Sequence, residues 1–160
     1  MYYQNKVFGT FDDMPVWNFV VNSDVRGMFM ASYNVEMIGI LDFINVTSST
    51  YTTKTNYYSP FCACTKLSAL YIKNLKVSLR LSWSPINQDS LKYILTNAAN
   101  TSTITLYISA YTYYNLTDEN KNLAEKKNIS LTLDSARNPE FKMWAESDNI
   151  LTILNTVNGD

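Results

Sequence analysis

Residues 103–111, TITLYISAY, alternate apolar and polar side chains, the period of a strand with one buried face. The alternation returns in phase in NISLTLD, residues 128–134, and is already present in SLRLSW, residues 78–83. At one interval of 25 residues, Leu79, Ile104 and Ile129 fall on one another, as do Leu81, Leu106 and Leu131, and then Trp83, Ile108 and Leu133. The intervening Arg80, Thr105 and Ser130, and then Ser82, Tyr107 and Thr132, are polar or amphipathic. Three equivalent strands are predicted.

The connections between them carry a helical period instead. Leu91, Ile94, Leu95 and Ala98 share one face of a helix, with Pro85 and Asn87 at its start and Asp89 at the positive end of its dipole. In the second connection Thr117 is the expected N-cap, with Asp118 and Glu119 early and Lys126 and Lys127 late. Leu116, Leu123 and Ala124 supply its apolar face, which Asn120 interrupts. Upstream, Leu41, Phe43, Asn45 and Val46 match Leu70, Ile72, Asn74 and Leu75 at an offset of 29, each set following a loosely helical segment (27–39 and 60–69). The polar tract 47–59 between them reads as an elongated loop or an insertion.

A strand and a short helix recurring every 20 to 30 residues predict stacked units, because one unit cannot bury its own apolar strand face. The expected fold is α/β: a short solenoid of four to five strand-helix units with a parallel sheet on one face. The Asn that follows a strand suits a ladder of side-chain amides meeting backbone groups at the turn.

Two stretches, MF…LDF-N-V-TS at 28–49 and F-x-x-C-x-x-L-x-x-L-x-I-x-N-L at 61–75, resemble the leucine-rich repeat variant of BspA-type bacterial surface proteins. Residues 78–133 are similar to the closing repeats of such arrays in gut-bacterial and prophage proteins. The resemblance implies repeats over 28–134, an N-terminal cap over 1–27 and a C-terminal cap over 135–160, with NILTILNTV at 149–157 as a shielding edge strand. The array is short, and its spacings of 25 and 29 differ from each other.

Composition narrows the chemistry. A hydrophobic share of 46% with 17% charged residues describes a folded chain. A net charge of −1 with no basic stripe argues against nucleic acid as a partner. No apolar run reaches the length of a membrane-crossing helix, so no membrane insertion is expected, and the start lacks the pattern of a signal peptide. Cys62 and Cys64 are read as small buried apolar residues, since two sulfurs without histidine do not complete a zinc site. With no histidine and no nucleophile or phosphate motif, no catalytic residue, metal or cofactor is expected. Asp12 with Asp13, and Asp118 with Glu119, read as turn and helix-start charges.

What the resemblance and the polar sheet face imply is non-enzymatic recognition or attachment: binding of a protein or glycan through the exposed sheet face, by a phage virion or tail-associated protein or a bacterial surface protein. The alternative is a small phage-encoded protein that binds and inhibits a host defence protein in the cytoplasm. The binding residues expected on the sheet face are Tyr71, Lys73, Arg80, Thr105, Tyr107, Ser130 and Thr132, joined by Tyr111 at the following turn. The sequence assigns no oligomeric state.

Overall fold

The computed structural model describes residues 14–29, 32–49, 51–52, 57–61, 64–99 and 102–134. In chain order the elements are β1 (Val16–Asn18), β2 (Ser23–Asp24), β3 (Met37–Asp42), β4 (Val46–Ser48), β5 (Tyr51–Thr52), β6 (Tyr57–Tyr58), β7 (Ala69–Lys73), β8 (Leu79–Leu81), α1 (Gln88–Asn97), β9 (Ile104–Ile108), α2 (Ala110–Tyr114), α3 (Asp118–Lys126) and β10 (Ile129–Leu133). The protein is mixed α/β with mainly parallel pairing. Two three-stranded parallel sheets, β1–β3–β7 and β10–β9–β8, are accompanied by the parallel pair β2–β4 and the antiparallel pair β5–β6. The strands thus form two separate parallel sheets, where the sequence reading expected a single one.

The elements alternate between two sides of one core. On the first side lie β1, β3 and β7, then α1 against β7 and α3 against α1. On the second lie the β2–β4 pair and the β8–β9–β10 sheet. Leu41, Leu70 and Ile72 from the first side meet Val46, Leu79, Leu81, Leu106 and Ile108 from the second in a single buried cluster, to which α1 adds Leu91, Ile94 and Leu95. Each such leucine or isoleucine contributes about 1.5–3 kcal/mol by leaving water. β1 and β2 fall within residues 1–27 and pair in parallel with β3 and β4.

The 25-residue interval holds between β9 and β10, which pair Ile104 with Ile129 through Ile108 with Leu133. Between β8 and β9 it fails by two positions: Leu79 faces Leu106, and Leu81 faces Ile108. A two-residue slip preserves the face on which every side chain lies, so the apolar pattern does not distinguish the registers. Trp83 accordingly falls beyond β8, in a turn, and is buried there. β3 and β7 also depart from the expected match: Ile38 faces Leu70, Leu41 faces Ile72, and the register shifts between them. Close passage explains a glycine in mid-strand, since a Cβ at Gly39 would stand 3.0 Å from the Pro15 carbonyl oxygen.

Helices begin where capping chemistry places them. The Asn87 side chain accepts the Ser90 amide at 2.8 Å, and Thr117 Oγ1 accepts the Asn120 amide at 3.1 Å. α2, absent from the sequence reading, starts the same way at Ser109, whose Oγ accepts the Thr112 amide at 3.3 Å. The segments read as loosely helical before β3 and β7 are turns among their described residues. Tract 47–59, read as an elongated loop or an insertion, contains the end of β4 and the β5–β6 pair. Asn128 leaves α3 at φ 55°, the left-handed conformation Asn tolerates at a helix end.

Hydroxyls complete the hydrogen bonding where elements of unlike geometry meet. The free edge of β8 is met by Ser49, which donates to the Ser78 carbonyl, and by Ser59, which donates to the Arg80 carbonyl at 2.5 Å. α1 cannot offer β7 a strand ladder. Instead Ser90 Oγ accepts the Leu70 amide at 3.1 Å, while Asn87 donates its amide to the Ser68 carbonyl at 2.8 Å. The expected Asn ladder is present in part: Asn45 Nδ2 donates to the Phe19 carbonyl at 2.8 Å, but Asn74 Nδ2 donates to the Asp42 carboxylate instead.

Candidate binding face

In β8, β9 and β10 the apolar residues point into the core and the residues between them form the outer face. Their registers place Arg80 beside Tyr107, Tyr107 beside Thr132, and Thr105 beside Ser130. Thr105, Tyr107 and Thr132 are half-buried and Ser130 is exposed. Ser130 Oγ and Thr132 Oγ1 lie 3.3 Å apart, and the Thr105 amide donates to Ser78 Oγ at 3.0 Å. This face offers hydroxyl donors and acceptors on a rigid parallel sheet, with one aromatic ring among them.

Arg80 is committed within the fold. Its guanidinium lies 4.0 Å from the centre of the Tyr107 ring and forms an ion pair with Asp134. Ser82 Oγ donates to the same carboxylate, and the Asp134 amide donates to the Ile108 carbonyl at 3.1 Å. The side chains of Arg80 and Asp134 are only 17% and 5% accessible. Arg80 therefore clasps the end of β10 to β8 across β9, on the outer face where the sequence reading expected it, but engaged within the fold.

Tyr71 and Lys73 belong to the other sheet. Tyr71 is buried at 8% exposure, with its ring edge-on to Tyr93 at 5.4 Å, in a small outer cluster with Ile40 and Ala69. Burial pushes the Tyr93 hydroxyl above its ordinary value, with the Lys73 ammonium opposing it. Lys73 Nζ lies 3.1 Å from Asp42, which also accepts the Ile44 amide at 3.0 Å and Asn74 Nδ2 at 2.8 Å. Burial pushes the Asp42 carboxyl up, but the Asn74 and Ile44 hydrogen bonds and the Lys73 charge outweigh it and hold the carboxyl below the usual carboxylate range. Tyr111, in α2, is exposed, and Tyr113 in the same helix packs against the core.

The structure thus brings Thr105, Tyr107, Ser130 and Thr132 together and assigns Tyr71 and Lys73 to a different sheet. The sequence reading missed the Arg80–Asp134 clasp, which spans 54 residues of chain. It also left Asn120 without a role. Asn120 is buried, and its Nδ2 donates to the Gln88 carbonyl at 3.0 Å and to Gln88 Oε1 at 2.9 Å, tying α3 to the start of α1. A polar residue interrupting an otherwise apolar helix face was the available signal. Cys64 is buried, its thiol donating to the Phe29 carbonyl at 3.2 Å; Cys62 lies outside the described residues.

Among the described residues, no group of three or more His, Cys, Asp or Glu is placed to hold a metal ion, and no helix is long and apolar enough to cross a membrane. The chain matches no family model, no curated protein and no solved structure.

Proposed function

We propose that the alternating two-sided stack is a short leucine-rich-repeat-type solenoid, and that it acts as a non-enzymatic recognition or attachment module of a phage particle or bacterial surface. Its ligand is a protein or a glycan. The observation that carries this reading is the in-register set Thr105, Tyr107, Ser130 and Thr132 on the outer face of β9 and β10. Hydroxyls donate and accept without regard to the sign of a partner's charge, which suits sugar hydroxyls and peptide groups. A tyrosine ring adds contact area at small entropic cost, a property of residues that dominate binding interfaces.

The test is capture from envelope and cytosolic fractions of bacteria on the immobilised chain, with its far-ultraviolet circular dichroism checked for each variant. Tyr107→Ala with Thr132→Ala lowers capture of envelope material by about tenfold or more, corresponding to about 1.4 kcal/mol. Lys92→Ala, at an exposed position of α1, leaves capture unchanged. Undiminished capture by the double variant removes the face from consideration. A single cytosolic protein retained in place of envelope material replaces attachment with inhibition of a host protein.

A further inference from the structure

The outward strand positions of β8, β9 and β10 are held by Arg80, Thr105, Tyr107, Ser130 and Thr132, and Asp134 follows directly after β10. Arg80 and Asp134 are the charged residues of this set, and they cancel each other. The guanidinium lies 4.0 Å from the centre of the Tyr107 ring and is ion-paired with a carboxylate that also accepts the Ser82 hydroxyl. Both charged side chains have little access to solvent. An anion that reached Arg80 would have to displace this carboxylate and strand its charge where it is already out of water, which is costly. What the face presents to a partner is therefore uncharged: the hydroxyls of Thr105, Ser130 and Thr132, and the half-buried Tyr107 ring.

We propose that Asp134 sets the ligand class of this face. By withholding the Arg80 charge it confines recognition to uncharged glycans and turns away phosphate- or uronate-bearing polymers. The inference deepens, and rests on, the reading of the face as a recognition surface. Two features favour sugar over protein as the occupant. Protein interfaces draw on Arg, Trp, Phe and Met and are depleted in Ser. Here the one Arg is engaged internally, and the remaining positions are Ser and Thr around a single ring. A neutral sugar offers the matching chemistry, an apolar ring face for the tyrosine and hydroxyls that donate and accept in turn.

The experiment captures a bacterial envelope fraction on the immobilised full chain at about 0.1 M and about 1 M sodium chloride, where screening shortens from roughly 10 Å to 3 Å. Capture should change by less than about twofold between them, since no ion pair with the ligand is screened. It should be lost after periodate oxidation of the fraction, which cleaves sugar diols, and survive protease digestion. A second arm compares dextran with dextran sulfate beads. Asp134→Asn should gain about two- to fivefold in binding to the sulfated beads at low salt, the scale of one exposed ion pair. Adding Arg80→Gln should remove that gain. Capture that falls about tenfold with salt, or that survives periodate, overturns the ligand class. Absence of the gain in Asp134→Asn, or its persistence without Arg80, overturns the part given to Asp134. The salt and periodate arms use the unsubstituted chain, so they decide the ligand class whether or not a variant folds. Salt-sensitive capture that still needs Tyr107 and Thr132 leaves the recognition face standing, whereas capture indifferent to those residues, or no capture, removes both.

Discussion

The two parallel sheets share a core but treat their outer faces differently. On β1–β3–β7 the outward Ile40, Ala69 and Tyr71 are buried, with Met14 and Tyr93 packed against them. On β8–β9–β10 the outward positions hold hydroxyls, the Tyr107 ring and the Arg80–Asp134 clasp. The ladders differ in the same sense: β3 and β7 shift register between Ile38 and Leu41, while β9 and β10 run together for five residues without a shift. An outer face that carries its own apolar packing has little left to offer a partner. A regular face of short polar side chains retains its hydrogen-bonding groups in a fixed array.

The largest effect tests whether the two sheets stand on one core. Leu70→Ala on the first and Leu106→Ala on the second each remove a fully buried side chain and should cost about 2–5 kcal/mol. Urea unfolding followed by both tyrosine fluorescence and far-ultraviolet dichroism should show one shifted transition in either variant; two transitions would divide the sheets into separate folding units. A smaller loss is expected at the seam between them. Ser59→Ala leaves the Arg80 carbonyl of the β8 edge without its donor, a cost of about 1–3 kcal/mol if the group stays buried. Combining it with Ser49→Ala should also promote self-association through that edge, measurable by sedimentation velocity.

The acid response should come through the first sheet. Asp42 has its carboxyl held below the usual range, so its contribution is present above the unfolded value and is lost as pH falls through the folded one. The urea midpoints of the parent chain and Asp42→Asn should therefore converge as pH is lowered from about 5 to below 3. A gap that stays constant over that range would assign the carboxylate no part in holding β3 to β7. Smallest of all is Lys92→Ala, which breaks an exposed ion pair between α1 and α3 and should cost at most about 0.5 kcal/mol by the same unfolding assay.

Local signals carried the elements well. The alternation in TITLYISAY and NISLTLD located β9 and β10 and their register, and Asn87 and Thr117 located the helix starts. Relative placement was less legible, for physical reasons. A slip of two residues between β8 and β9 leaves Leu79 and Leu81 facing inward in either register, so hydrophobicity cannot see it. The approach of Pro15 to Gly39, within the stretch where β3 and β7 shift register, is likewise invisible to periodicity. Of the seven sheet-face residues read from alternation, Tyr71 and Lys73 satisfied the pattern but belong to another sheet, because alternation defines a side of a strand and not which sheet that strand joins. Ser109, followed by Thr112, did contain the capping signal of α2, which the crowd of tyrosines after it obscured.

The replacement of strands by helices on the first side has a geometric consequence. Neighbouring strands advance by about 4.8 Å, whereas packed helices stand about 8–10 Å apart. From β7 onward the first side advances by helices, α1 and then α3, while the second continues by strands through β8, β9 and β10. Per element added, the helix flank therefore spans about twice the distance of the strand flank. The hydroxyl row of Thr105, Tyr107, Ser130 and Thr132 lies on the closely spaced strand flank.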